Sequence, residues 1–291
     1  MCLTSIPSSG LPAADRHRLA PGLYIVAGPI GNLEDLTLRA ARMLRQADVI
    51  ACEDTRVTAK LLRAAGSDRP MISYHEHSST DTEDQILARA RHEAVALVSD
   101  AGTPLISDPG HELVRRARAQ GIAVTTAPGP SAAIAALSIS GLPGNRFFFA
   151  GFLPAKAAAR DRQIAALAGI PATLIFYESA KRITATVAAL QQALGDREAA
   201  ILRELSKLHE SYLHGRLSAL QAQLAAQPIK GEIVLLVGPP EAEAAPAEAL
   251  DTALRAALRT MPAGRAAASV SAALGVPRAQ VYARALELRA E

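Results

Sequence analysis

Apolar residues in the first half of the chain gather into short runs, among them Leu23–Ala27, Val49–Cys52 and Val95–Val98. Each run stops at a polar loop rich in Gly, Pro or carboxylates, and a stretch with helical spacing follows. This alternation predicts strands near 23–27, 48–52, 71–74, 95–99 and 122–125, and helices near 36–46, 57–65, 80–92, 110–119 and 131–139. That rhythm belongs to a doubly wound α/β sheet, and the unbroken apolarity argues for parallel strands buried on both faces. The second half is mixed, with strands near 146–151, 173–177, 198–204, 210–216 and 232–237 and helices near 156–168, 181–194 and 217–227. The pair 198–204 and 210–216 is joined too briefly for a crossover helix, so antiparallel pairing is expected. The resulting division is an α/β domain over 21–127 and a second over 128–240.

The ends differ in character. Residues 1–20 are Ser/Pro/Gly-rich, with neither a basic start nor an apolar core, and read as a disordered lead, not a signal peptide. After Gly238 an acidic, Pro-containing stretch reads as a linker over 241–249, followed by an Ala-rich helical module over 250–291. Between 252 and 291 six arginines face only Glu287 and Glu291, a net of +4. Within it, 266–286 has helix-turn-helix spacing, with Gly275 in the turn and Pro277 opening the second helix, which suits either nucleic-acid binding or packing on the chain's own domain.

Composition narrows the classes. With 291 residues and 49% hydrophobic content the chain can bury one large core or two modest ones. A formal charge of +3 means that any nucleic-acid site is a local patch. Cys2 and Cys52 suggest neither a metal pair nor a redox pair, as in a reducing cytoplasm. The uncharged stretch 119–145 is broken by Pro128, Gly129, Pro130, Gly141, Pro143 and Gly144, so no membrane span is expected.

Candidate chemistry concentrates where strands end. Gly28-Pro29-Ile30-Gly31 follows a strand and opens a helix, so it is either a tight turn or a place where backbone approaches a ligand closely. It is neither a dinucleotide fingerprint nor a phosphate loop. Asp100 lies one residue past a strand, where a carboxylate can accept from ligand hydroxyls or amino groups. Asp108 serves a ligand or caps the next helix, and Ser131 caps a helix whose start also offers N–H groups to an anion. Glu53-Asp54-Thr55-Arg56 is a substrate cluster or a salt-bridged helix start. Tyr74-His75-Glu76-His77 invites a metal assignment, but the spacing is poor and no further His or Cys lies near, so no metal is expected. Glu178, Arg203, Glu204 and Lys207 supply acid–base and phosphate-steering groups, or an internal ion-pair cluster.

Taken in order, these motifs resemble the tetrapyrrole-methylase-like family of S-adenosylmethionine enzymes, specifically its branch that methylates a cytidine ribose 2′-hydroxyl in 16S ribosomal RNA. The resemblance covers about 22–238 and runs through Gly28–Leu33, Cys52–Arg56, Tyr74–His77, Ser99–Pro104, Pro128–Ala132, Gly151–Pro154, Tyr177–Ser179, Arg203–Lys207 and Gly231–Val234. It implies two α/β domains of the tetrapyrrole-methylase type with the cofactor cleft between them, plus the small helical module. It further implies S-adenosyl-L-methionine as cofactor, held by Pro29, Asp100, Gly102, Thr103, Ser131, Ala132 and Tyr177. Arg56, His75, Lys181, Arg182 and Arg203 then face the small-subunit 16S rRNA, and Glu178 and Lys207 are the candidate bases. A cytoplasmic homodimer is implied as well. The branch pattern is broken at Ala180-Lys181, where the family has Pro-His, and at Ser78, where it has Asn. Two other readings remain: a methylase of tetrapyrroles or another small molecule, and a ligand-sensing nucleic-acid-binding regulator.

Overall fold

In the computed structural model, which describes residues 18–75, 77–240 and 247–290, the apolar runs of the first half lie side by side in one parallel sheet. Its strands β1 (Gly22–Val26), β2 (Val49–Cys52), β3 (Met71–Ser73), β4 (Ala94–Val98) and β5 (Val124–Ala127) are ordered β3-β2-β4-β1-β5. Both faces are covered, which is why β1, β2 and β4 carry no polar alternation. Tyr24 and Val26 turn into a core shared with α1 (Leu38–Gln46) and α2 (Thr55–Ala65), whereas Leu23 and Ile25 turn into one shared with α3 (Thr80–Ala90) and α4 (His111–Ala119). Thr37, Asp54 and Ser79 stop the chain before α1, α2 and α3, each accepting an N–H two or three residues on. α1 therefore starts at Leu38, not 36, after a 3₁₀ turn at Leu33–Asp35. β5 starts two residues later than the pattern suggests, because the N–H of Ile122 closes back on the Ala117 carbonyl past a left-handed Gly121.

The second sheet holds β6 (Phe147–Phe152), β7 (Thr173–Ser179), β10 (Glu232–Val237), β8 (Glu198–Arg203) and β9 (Ser211–Arg216), in that spatial order. β6 and β7 run parallel, and the short 204–210 connection makes β8 and β9 antiparallel as expected. One face packs on α6 (Ala157–Leu167), α7 (Ile183–Leu194) and α8 (Leu217–Ala226) through Phe176, Ile201 and Leu235. The opposite face packs Ile175, Leu202 and Val234 against Ala133, Ala136 and Leu137 of α5 (Ala132–Ile139). α7 begins at Ile183, not 181, because Arg182 folds back onto β7. Within β6 the register slips between Phe149 and Gly151, and Gly151 takes φ 65°. A Cβ there would stand 3.1 Å from the Ser107 hydroxyl, so the loop after β4 rests on this bulge.

Residues 240–291 form a separate unit of α9 (Ala247–Leu258), α10 (Ala263–Leu274) and α11 (Arg278–Ala290) around Leu254, Ala267, Val281 and Ala285. Gly275 closes α10 in the left-handed region, φ 67°, and the Pro277 carbonyl accepts the first N–H bonds of α11. Two boundaries differ from expectation. Ala247-Glu248-Ala249, assigned to the linker, are strong helix formers and already belong to α9. Residues 18–20, assigned to the lead, are tied to the domain: Leu19 joins the first core, and the Ala20 carbonyl accepts the Tyr24 hydroxyl at 2.7 Å. The rest of the lead, 1–17, and of the linker, 241–246, lies outside the described residues. Among the described residues no helix is long and apolar enough to cross a membrane.

The bulge contact generates a test. Gly151→Ala forces a left-handed Ala and crowds Ser107, costing about 1–2 kcal/mol. The expected drop in thermal midpoint, followed by circular dichroism, is several degrees; an unchanged midpoint would show that the backbone relaxes at no cost.

Candidate functional site

The carboxyl end of β4 delivers Ser99 to Gly110 into a cleft of about 410 Å³ closed on its far side by β7 and β10. Asp100, Gly102 and Thr103 line it from the first sheet, and Ser131, Ala132, Tyr177 and Glu178 from the second. Seven residues expected at the site from sequence thus converge on one space. Pro29 stands behind the wall, where its carbonyl accepts the Gly102 N–H at 3.2 Å. The Gly28 N–H in turn donates to the Gly102 carbonyl at 2.8 Å, which locks the loops after β1 and β4 together. Gly31 has a different task from the close ligand approach considered above: a Cβ there would collide with the stem of Lys207, so the missing side chain lets the two halves meet. Asp100 is exposed at the cleft mouth, and its Oδ1 accepts the Asp54 N–H at 3.2 Å.

The start of α5 is partly occupied. Ser131 sits at the cap position without making a side-chain capping bond, and the Tyr177 hydroxyl accepts the Ala133 N–H at 3.3 Å. That N–H is therefore shared with a phenol and not held open for an anion. Tyr177 is wedged edge-on between Phe149 and Phe152, at centroid distances of 4.9 and 5.6 Å, and burial pushes its hydroxyl above its ordinary value.

Asp108 does not cap α4, because Gly110 occupies that position. Its half-buried carboxyl faces the cleft, where burial raises its pKa against the pull of a Ser99 hydrogen bond, and the Asp100 charge adds to the rise. The loop presenting it is strained: Leu105 and Ser107 take φ 73° and 64°. Among the described residues the other two non-glycine positive φ values are at Glu204 and Ser206, flanking Leu205 of the cleft wall. Strain of about 1–3 kcal/mol per such residue is commonly stored beside functional sites.

The two expected bases are each held by other side chains. Glu178 is almost fully buried and is held by the Ser179 N–H at 2.8 Å, the Thr186 hydroxyl at 2.6 Å, Arg182 at 3.1 and 3.2 Å and, more loosely, the Ser179 hydroxyl at 3.5 Å. Arg182 also donates to the Leu153 carbonyl at 2.5 Å, so this pair staples β7 to the chain leaving β6. Burial works to lower the Lys207 pKa, but Glu232 at 2.9 Å and Glu204 at 3.3 Å outweigh it and leave the ammonium more basic than usual. A lysine held charged is a poor proton acceptor. Glu53–Arg56 resolves as a helix start, with Arg56 folded onto Asp54 at 2.7 Å and its side chain 88% exposed. Arg203 donates to the His209 carbonyl at 2.8 Å, while its buried Nε has no partner. His75 and Lys181 are exposed and lie outside the cleft wall.

Sequence reasoning missed the apolar walls, Ile30, Ile106, Phe152, Leu202, Leu205 and Val234. Ile30, Phe152, Leu205 and Val234 sit in the singled-out stretches Gly28–Leu33, Gly151–Pro154, Arg203–Lys207 and Gly231–Val234, but nothing in the pattern told that these apolar side chains, or Leu202, face a cavity and not a core.

Comparison with known proteins decides the family. The profile of the "Tetrapyrrole (Corrin/Porphyrin) Methylases" matches residues 22–221. The chain belongs to this family. A second profile, "RsmI C-terminal HTH domain", matches residues 243–289. Among curated relatives, the ribosomal RNA small subunit methyltransferase I of Erythrobacter litoralis is 52% identical, over 93% of this chain and 96% of its own. That of Pseudomonas aeruginosa is 43% identical, over 91% and 96%. Of solved structures, cobalt precorrin-4 methyltransferase CbiF aligns with a TM-score of 0.57 at 16% identity, covering 74% of this chain and 94% of that one. Thermus thermophilus uroporphyrin-III C-methyltransferase, solved with S-adenosylhomocysteine, aligns at 0.53 and 24%, covering 75% and 97%. These two share the fold of this tetrapyrrole methylase family member.

The Glu178 network makes Arg182 structural. Arg182→Met is expected to cost about 1.5–3 kcal/mol in urea unfolding, the usual worth of hydrogen bonds to a charged group, whereas Lys181→Met, one residue away and exposed, should cost nearly nothing. Equal midpoints for the two variants would contradict the assignment.

Proposed function

We propose that the protein is an S-adenosylmethionine-dependent methyltransferase that acts in the cytoplasm on the ribose 2′-hydroxyl of a cytidine in 16S rRNA of the small ribosomal subunit. The observation that carries this reading is the match to rRNA small-subunit methyltransferases over nearly the whole of both chains, the C-terminal helical unit included. The cleft fits the cofactor on its own chemistry. Asp100 offers a carboxylate to ribose hydroxyls or an ammonium, and Ile30, Leu202, Leu205 and Val234 offer an apolar bed for a purine. Gly102, Thr103, Ser131, Ala132 and Tyr177 complete the walls, with Pro29 supporting Gly102.

Bound S-adenosylmethionine supplies a methyl group on a sulfonium, which an oxygen nucleophile displaces in line. The protein's part is to hold the hydroxyl in line and to take its proton. Positioning of this kind can contribute roughly 7–11 kcal/mol, and a general base a further factor of about 10²–10⁴. Asp108 is the cleft carboxyl suited to the second task, since it caps nothing and forms no ion pair among the described residues. Arg56, His75 and Lys181, all exposed, receive the RNA outside the cleft. The exposed Ile134 and Ile139 of α5 and Phe147 and Phe148 of β6 suit an interface with a second copy, as a homodimer requires.

Incubation with labelled cofactor and either small-subunit particles or uroporphyrinogen tests the substrate. Label is expected in cytidine 2′-O-methyl of 16S rRNA, and label in the tetrapyrrole alone would overturn the reading. Asp100→Ala should lose most cofactor affinity by calorimetry while remaining folded. Asp108→Asn should keep that affinity and lower kcat by about 10²–10⁴. Because burial raises the Asp108 pKa, the parent's rate should fall, as pH drops, at a value above the ordinary aspartate pKa of about 3.9, and this acid limb should vanish in Asp108→Asn.

A further inference from the structure

The helices on the two faces of the first sheet differ in charge. α3 and α4, packed together on one face, carry four bases, Arg89, Arg115, Arg116 and Arg118, and four acids, Asp81, Glu83, Asp84 and Glu112. Ion pairs take up several of them: Arg115 holds Glu112 at 2.5 Å, and Arg116 holds Glu83 at 2.8 Å and also Asp84. α1 and α2, packed together on the other face, carry six bases and no acid.

Those six are ordered. Arg56, Lys60 and Arg63 follow i, i+4, i+7 spacing and form one stripe along α2, while Arg39, Arg42 and Arg45 follow i, i+3, i+6 along α1. Arg45 donates to the Ala65 carbonyl at 2.8 Å and ties the end of one helix to the end of the other. Arg39, Arg42, Lys60 and Arg63 make no ion pair or side-chain hydrogen bond among the described residues. Of the acids near the helix ends, Asp48 pairs with Arg18 and Asp35 hydrogen-bonds Ser206, Asp54 pairs with Arg56 of the stripe itself, and Glu34 is exposed. Asp68, just past α2, is exposed.

The stripe starts at the cleft. The N–H of Asp54, the cap of α2, donates to the Asp100 carboxylate in the cleft wall, and Arg63 lies about 10 Å farther along the helix than Arg56. We infer that the α1–α2 face is a phosphate-binding track for the RNA strand flanking the nucleotide in the cleft. Four unpaired cations beside the site would meet successive backbone phosphates, adding affinity and register without reading bases. This rests on the RNA reading above, and continuity with the cleft favours RNA over an anionic membrane.

The test uses the full chain. Lys60→Ala/Arg63→Ala and Arg39→Ala/Arg42→Ala should each raise KM for small-subunit particles about tenfold at moderate salt, with cofactor affinity unchanged. Each pair should also flatten the log–log salt dependence of RNA binding by about 2, one per lost phosphate contact. Arg115→Ala/Arg118→Ala, on the balanced face, controls for general loss of charge and should leave the slope at the parental value. Parental slopes in both α1–α2 pairs, an equal change in the control, or binding of the face to phosphatidylserine vesicles but not to RNA would each overturn the inference. If the parent methylates subunits and the pairs behave like it, only the track is wrong. A parent that methylates no RNA instead removes the reading beneath it.

Discussion

Everything at the site depends on how the loop after β8 meets the loop after β1. Ser206 hydrogen-bonds Asp35, and the Lys207 stem lies where Gly31 has no side chain. Glu204 keeps this loop folded by accepting the Glu232 N–H at 2.8 Å and Lys207, with Gly231 leaving room for its carboxylate. Burial is offset at Glu204 chiefly by the Glu232 backbone bond, which holds its pKa below the usual range. Two glycines, one acid and one lysine thus hold two sheets at a separation that leaves a cleft between them.

The constraint explains where strain is found. A loop that must reach the opposite half, present side chains to the cleft and return to its own sheet has few relaxed conformations. Among the described residues the non-glycine positive φ values, at Leu105, Ser107, Glu204 and Ser206, fall on the two loops that touch the opposite half: that after β4, whose Ser107 meets Gly151 of β6, and that after β8, whose Lys207 meets Gly31. The bulge at Gly151 belongs to the same arrangement, since it gives the Ser107 loop a place to rest.

It also separates the charged groups held by several partners from those left open to the cavity. Charged residues near a cleft draw functional interpretation, yet Glu178, Arg182 and Lys207 are held by multiple partners. Among the described carboxyls that line the cavity, Glu178 and Glu232 are held in ion pairs, while Asp100, at its mouth, and Asp108, half-buried, are not. Asp100 suits hydrogen bonding to a ligand, and Asp108, with its raised pKa, suits proton transfer.

Strand and helix positions were legible in the sequence because they follow from local rules: buried parallel strands are continuously apolar, and helices begin at Thr, Asp and Ser caps. The loop motifs were legible for the same reason, and so was the placing of Asp100 at a strand end on the rim of the first sheet, whereas gathering Thr103, Ser131 and, from the other sheet, Tyr177 into one site rested on the family resemblance. Side-chain assignments were less so. Whether Ser131 caps, whether Glu178 reacts or anchors, and what Gly31 makes room for depend on residues distant in sequence: Tyr177, Thr186 and Lys207. The apolar cleft walls were hidden because an aliphatic residue facing a cavity and one facing a core have the same pattern. Charge density on α1 and α2 is written in the sequence, but that these helices share one face, and that it starts at the cleft, comes from tertiary packing, which alone brings distant segments within contact distance.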